Sequence, residues 1–313
     1  PQPRYYPDFS VLTSTCSCTM AAAEGSLPVP PAAALKEIAP PAPPAVDSPL
    51  GAALAKLDTV ADGEAAKAVS TEICDLLKGQ SLDLVHQAIP VITKTKRPPA
   101  GQEATLLTIT ALAESMGQSA EPYLVAALPL CLELAASKAP EVREKAEGAS
   151  HALMALLCPA LSFVLPTIFA NMQKEKPWQT RQLTLSLISQ CVHTAPQQLA
   201  ACLPEIIPEL TPCMTDTKKE VKKAAKAAMN DSLKVVGNSD IEPVLEDLVT
   251  CIVKPNQVPE LMHKLGAVVF VQTVDSPALA VMVPLLVRGL REKATATKRQ
   301  TAVIIDNMSK LVE

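Results

Sequence analysis

Fifteen Lys and Arg side chains gather in four short stretches of the chain, and the chemistry that their type and spacing suit is neutralisation of an anionic surface. The stretches hold Lys94, Lys96 and Arg97; Lys174, Lys176 and Arg181; Lys218, Lys219, Lys222, Lys223 and Lys226; and Arg291, Lys293, Lys298 and Arg299. In the third stretch, Lys219, Lys222, Lys223 and Lys226 recur at intervals of three and four, which puts them on one face of a helix, a geometry suited to tracking phosphates. The whole chain nevertheless carries a net charge of −4, which argues against a globally basic domain and leaves only local patches. Trp178, the only tryptophan, lies in the second stretch, within KEKPWQTRQ. It reads either as packing against a neighbouring unit or as an exposed partner anchor.

The other reactive side chains do not assemble into chemistry. Cys16, Cys18, Cys74, Cys131, Cys158, Cys191, Cys202, Cys213 and Cys251 form no C-x-x-C pair, and those after residue 50 fall in apolar stretches. They read as free, mostly buried thiols of a reducing compartment. His86, His151, His193 and His263 are scattered along the chain and read as satisfied helix residues. Glu141 and Glu144 stand three apart, the spacing of solvated helix charges. No phosphate-cradling G-x-x-x-x-G-K-[ST] loop, G-x-G-x-x-G turn or H-E-x-x-H pair is present. The expectation is a chain without a catalytic residue, a metal site or a cofactor of its own.

The elements that must carry the cations follow from composition and period. With 48% hydrophobic residues, 19% charged residues and 3% aromatics, the core must be built from small aliphatic side chains at close range, as in stacked helices. From about Gly51 an apolar residue followed by proline recurs at Ile89-Pro90, Leu128-Pro129, Leu165-Pro166, Ile207-Pro208 and Val283-Pro284, with Leu245-Glu246 in the fifth slot. The spacings are 39, 37, 42, 38 and 38 residues, the period of HEAT-type repeats of two helices each. The fold expected is all-α, a solenoid of about six such repeats over residues 51–313, with helix A opening near each proline. Equivalent turns would line the four basic stretches along one edge as a broken ridge.

Helix B then follows a short polar turn. Ala146, Ala149, Leu153 and Leu156 keep helical spacing after Pro140, and Val221, Ala224, Ala225 and Ala228 form an apolar stripe. Thr217 with Glu220, and Thr297 with Gln300, read as capping boxes whose first helical positions are cationic. A helix dipole makes positive charge there unfavourable by about 0.3–1 kcal/mol each, so stability alone does not account for them.

Residues 1–50 hold eleven of the 29 prolines and read as a disordered Ala/Pro-rich arm, with residues 1–19 a leader or upstream sequence ahead of Met20. Gly148 to Gln173 runs 26 residues without charge, but Pro159 and Pro166 and the repeat register split it, so a membrane span is not expected.

Two segments carry a resemblance. VGNSDIEPVLEDLVTCIVKPNQVPELMHKLGAVVFVQTV and MVPLLVRGLREKATATKRQTAVIIDNMSKLVE resemble the N-terminal HEAT region of translation elongation factor 3, a ribosome-dependent ABC ATPase. The resemblance extends over about residues 60–313. It implies a cytoplasmic ribosome-binding platform for protein biosynthesis that contacts the small-subunit head through rRNA and ribosomal proteins. ATP and Mg belong to downstream cassettes that this sequence lacks. A tubulin-binding HEAT array, or another protein-protein scaffold, is the alternative; the former would place its tryptophan in the first repeat rather than the third.

Overall fold

The structure is a computed structural model that describes residues 41–156 and 161–312. Most of the arm expected over residues 1–50 therefore lies outside the described residues. Among the described residues every regular element is helical, and the chain divides after Leu128 into two compact units.

The first unit opens earlier than residue 51. Ser48 caps α1 (Pro49–Lys56) by accepting the Gly51 N–H at 3.0 Å, and Asp62 caps α2 (Gly63–Leu77) through the Ala65 N–H at 2.8 Å. This pair precedes the first proline anchor and lacks one of its own, so the repeat period does not reveal it. Next come α3 (Leu82–Ile92), α4 (Pro99–Met116) and the single turn α5 (Glu121–Leu124). α2 packs along α4, while α3 meets α1 and α5. Ile73, Leu77, Ile92, Leu106, Ile109 and Leu112 are fully buried between them.

The second unit continues through α6 (Leu128–Leu134), α7 (Pro140–Leu156), α8 (Leu161–Met172), α9 (Trp178–Thr194), α10 (Pro196–Cys213) and α11 (Lys219–Leu233). It ends with the short pair α12 (Leu245–Val253) and α13 (Val258–Leu265), then α14 (Ser276–Arg291) and α15 (Thr295–Ser309). α7, α9 and α11 pack side by side as one layer, and α8, α10 and α14 as another. The expected stripes are in place: Ala146, Ala149, Leu153 and Leu156 of α7 are buried, as are Val221, Ala225 and Ala228 of α11, with Ala224 half-buried. The uncharged run from Gly148 is divided between α7 and α8, and no described helix is long and apolar enough to cross a membrane.

The prolines do not open the A helices as expected. Pro90, Pro166, Pro208 and Pro284 lie inside α3, α8, α10 and α14, and only Pro129 stands in a first turn. An interior proline removes one helical hydrogen bond and frees the carbonyl four residues earlier. Here all but the half-buried Pro284 are exposed, which puts the break in the hydrogen-bond ladder on the outer face of the helix. The preceding residue points inward and is buried at Ile89, Leu128, Leu165 and Ile207; Val283 stays 45% exposed.

Candidate functional site

Of the fifteen candidate cations the structure buries two, pairs Lys94 at the surface and leaves twelve exposed. Arg97 and Arg181 are corrected: both are buried and act inside the fold. The Arg97 Nη1 donates to Ile92 O at 2.6 Å, Lys94 O at 3.2 Å and Thr105 Oγ1 at 3.0 Å, and Nη2 donates to Val91 O. Its Nε pairs with Asp58 at 3.0 Å, so one guanidinium closes the C-terminal end of α3 and ties it to the turn after α1. Lys94 joins the same carboxylate at 2.6 Å. These bonds, Lys94 first, hold the Asp58 carboxyl below the usual range against partial desolvation.

Arg181, on the first turn of α9, pairs with Asp216 in the middle of the α10–α11 turn, and both side chains are nine-tenths buried. Burial opposes ionisation of Asp216, but the Lys218 N–H at 2.8 Å and the Arg181 guanidinium outweigh it and hold the carboxyl below its ordinary range. Sequence reasoning passed over Asp58 and Asp216. The signal available was an acid in a turn opposite a cation 35 to 39 residues away, one repeat period.

Asp216 also overturns the first capping box. α11 starts at Lys219 with Lys218 as its cap residue and no side-chain cap bond, so Thr217 stands outside the cap position. Arg181 draws the Asp216 carboxylate inward, and it takes the Lys218 N–H while Thr217 stays exposed. The second box fails differently. α15 begins at Thr295, so Thr297 is its buried third residue and Gln300 turns to His263 at 3.4 Å. Lys298 therefore closes the first turn and Arg299 opens the second, and only Lys218 and Lys219 remain at the very start of a helix, where the dipole acts most strongly.

The other twelve candidates are exposed: Lys96, Lys174, Lys176, Lys218, Lys219, Lys222, Lys223, Lys226, Arg291, Lys293, Lys298 and Arg299. None makes an ion pair among the described residues, whereas Lys56, Lys78, Lys145, Lys234, Lys264 and Lys310 each do. The exposed lysines of α11 share the face opposite its buried stripe. The second and third stretches are brought together: Arg181 links α9 to Asp216, and Lys174 is close enough to act on that carboxylate. Lys174, Glu175, Glu209 and Asp216 line one cleft there. Trp178 opens α9 at this place and is half-buried.

The described thiols pack inside the fold, His86 and His151 are half-buried, and His193 and His263 are exposed. Cys74, Cys131, Cys191, Cys202, Cys213 and Cys251 are free and buried, and desolvation pushes Cys131 and Cys191 up to about 12. Cys16, Cys18 and Cys158 lie outside the described residues. His151 Nδ1 meets Gln190 Oε1 at 2.6 Å, and the His86 ring packs on Tyr123 at 5.0 Å.

Two family profiles match. The one described as EF3 N-terminal HEAT repeat covers residues 58–229, and the one described as Elongation factor 3/GNC1 HEAT repeat covers residues 257–313. The chain belongs to the elongation factor 3 HEAT-repeat family. Elongation factor 3 of Phytophthora infestans is 39% identical over 64% of this chain, and that of Eremothecium gossypii is 39% identical over 84%. Elongation factor 3B of Saccharomyces cerevisiae is 37% identical over 82% of it. The chain spans only 20%, 26% and 25% of these three relatives, so what it shares with them is the HEAT-repeat region.

Proposed function

We propose that this chain is the ribosome-binding HEAT platform of an elongation-factor-3-like protein and performs no catalysis itself. The observation that carries the reading is the row of exposed lysines at Lys218, Lys219, Lys222, Lys223 and Lys226, without an ion pair among the described residues, on a family HEAT scaffold. An ammonium group with no carboxylate partner is free to replace the counterions of a phosphate backbone, and several on one rigid helix act together. Lys174 and Lys176, on the adjoining turn, extend that surface, with the half-buried Trp178 beside them as an anchor. The small-subunit head, with its rRNA, is the partner the family reading favours, and cytosolic translation is the corresponding setting. The expected partner is therefore a ribonucleoprotein rather than tubulin.

The test is co-sedimentation with purified ribosomes of the wild-type chain and of a variant carrying Lys218→Glu, Lys219→Glu, Lys222→Glu and Lys223→Glu. The variant should keep its helical circular dichroism and lose most of its binding. Undiminished pelleting of the variant would remove α11 from the interface. The chain alone should also show no saturable binding of ATP by calorimetry, since no phosphate-cradling loop is present.

A further inference from the structure

Residues 266–274 cross from α13 to α14 and hold apolar side chains out to solvent. Val269 is 78% exposed and Val271 72%, with Val268 and Phe270 half-buried beside them. The backbone is held in that arrangement from outside. The Asp240 carboxylate accepts the Val271 and Gln272 N–H groups at 2.7 and 2.8 Å, and Gln272 Oε1 accepts the Ser239 N–H at 2.9 Å. Asn238 Nδ2 donates to Thr273 O at 3.2 Å, and the Val274 N–H donates to Leu311 O at 2.9 Å. A braced loop loses little conformational freedom when its tip is covered, which favours binding there.

Charge selects the partner. No Lys or Arg occurs in residues 235–253 or 265–287, which hold the loop and its Asp240 clamp, while Asp240, Glu242, Glu246, Asp247 and Asp275 do; Lys310, beside the bracing Leu311, is paired with Asp306 at 2.7 Å. Of the carboxylates in those two segments only Asp247 has an ion pair among the described residues, with Lys264. Such a surface repels phosphate, so neither RNA nor an anionic lipid surface suits it, and it complements a basic protein. We propose that the loop 266–274, clamped by Asp240, is a docking knob whose Val269 and Val271 enter an apolar cleft edged by Lys or Arg on a basic protein. The inference rests on the ribosome-binding reading, under which that partner is a protein of the particle rather than its RNA.

Both valines are exposed, so Val269→Ser with Val271→Ser should leave the melting temperature unchanged. In ribosome co-sedimentation over a salt series the double variant should bind about tenfold more weakly at every salt concentration with an unaltered slope, because the lost contact is apolar. A photo-crosslinking side chain at position 269 of the otherwise wild-type chain should join it to a basic ribosomal protein. Wild-type affinity in the double variant, or crosslinks to RNA alone, would overturn the docking knob and leave the lysine surface standing. Failure of the wild-type chain to pellet with ribosomes at any salt would overturn both.

Discussion

Arg97 and Lys96 are neighbours in sequence with the same charge, yet one is buried and the other reaches solvent. The difference is chemical: a guanidinium presents several donors in a fixed fork and can be satisfied by carbonyls and a carboxylate at once, while an ammonium keeps its hydration more easily. Arg97→Ala should therefore destabilise the protein by about 3 kcal/mol in urea denaturation, and Lys96→Ala should change it by less than about 0.5 kcal/mol. Asp58 and Asp216 make the acid limb of stability. Their carboxyls sit below the usual range in the fold, so their contribution is present above the unfolded value of about 4 and is lost as pH falls through the lower folded values. Asp216→Asn should lower stability at pH 7 and reduce the further loss between pH 5 and pH 2. The exposure of the lysines, Arg291 and Arg299 was legible in the sequence, and the burial of Arg97 and Arg181 was not, because it depends on acids one repeat away.

At the scale of elements, the proline anchors gave the correct period and the wrong position. Sequence places proline at a helix start because a missing N–H costs nothing there, but Pro204, Pro208 and Pro212 follow one another at intervals of four along the exposed face of α10. Four-residue spacing keeps each lost donor on the solvent side, and the opposite side buries Leu199, Leu203, Ile206, Ile207 and Leu210. Capping boxes failed for a related reason: local patterns name a cap, and tertiary partners such as Asp216 and His263 reassign it. The stripes of α7 and α11, which depend only on helical spacing, were readable directly. α12 and α13 have 9 and 8 residues, against 17 and 15 for α9 and α11, and so bury less surface and hold fewer internal bonds. Amide hydrogen exchange should be faster across residues 245–265 than in α9 and α11. Equal protection across both would show that the short pair is held by more than its own packing.

For the molecule as a whole, the net charge of −4 conceals a division of labour that only the fold displays. Exposed lysines with no ion pair among the described residues collect on α11 and the turn before α9, whereas residues 235–253 and 265–287 around loop 266–274 hold acids and no cations. The family assignment gives the scaffold, and the central claim is that the lysine face of α11 meets phosphate. Its most direct test is the slope of log affinity for ribosomes against log salt concentration, measured for the wild-type chain and for Lys218→Glu, Lys219→Glu, Lys222→Glu and Lys223→Glu combined. Each neutralised phosphate adds about 0.7 to 0.9 to the slope, so the variant should bind more weakly with a slope shallower by about 3. Identical slopes and affinities at every salt concentration would mean that the lysine row is a solvated face and that the ribosome, if bound, is held elsewhere.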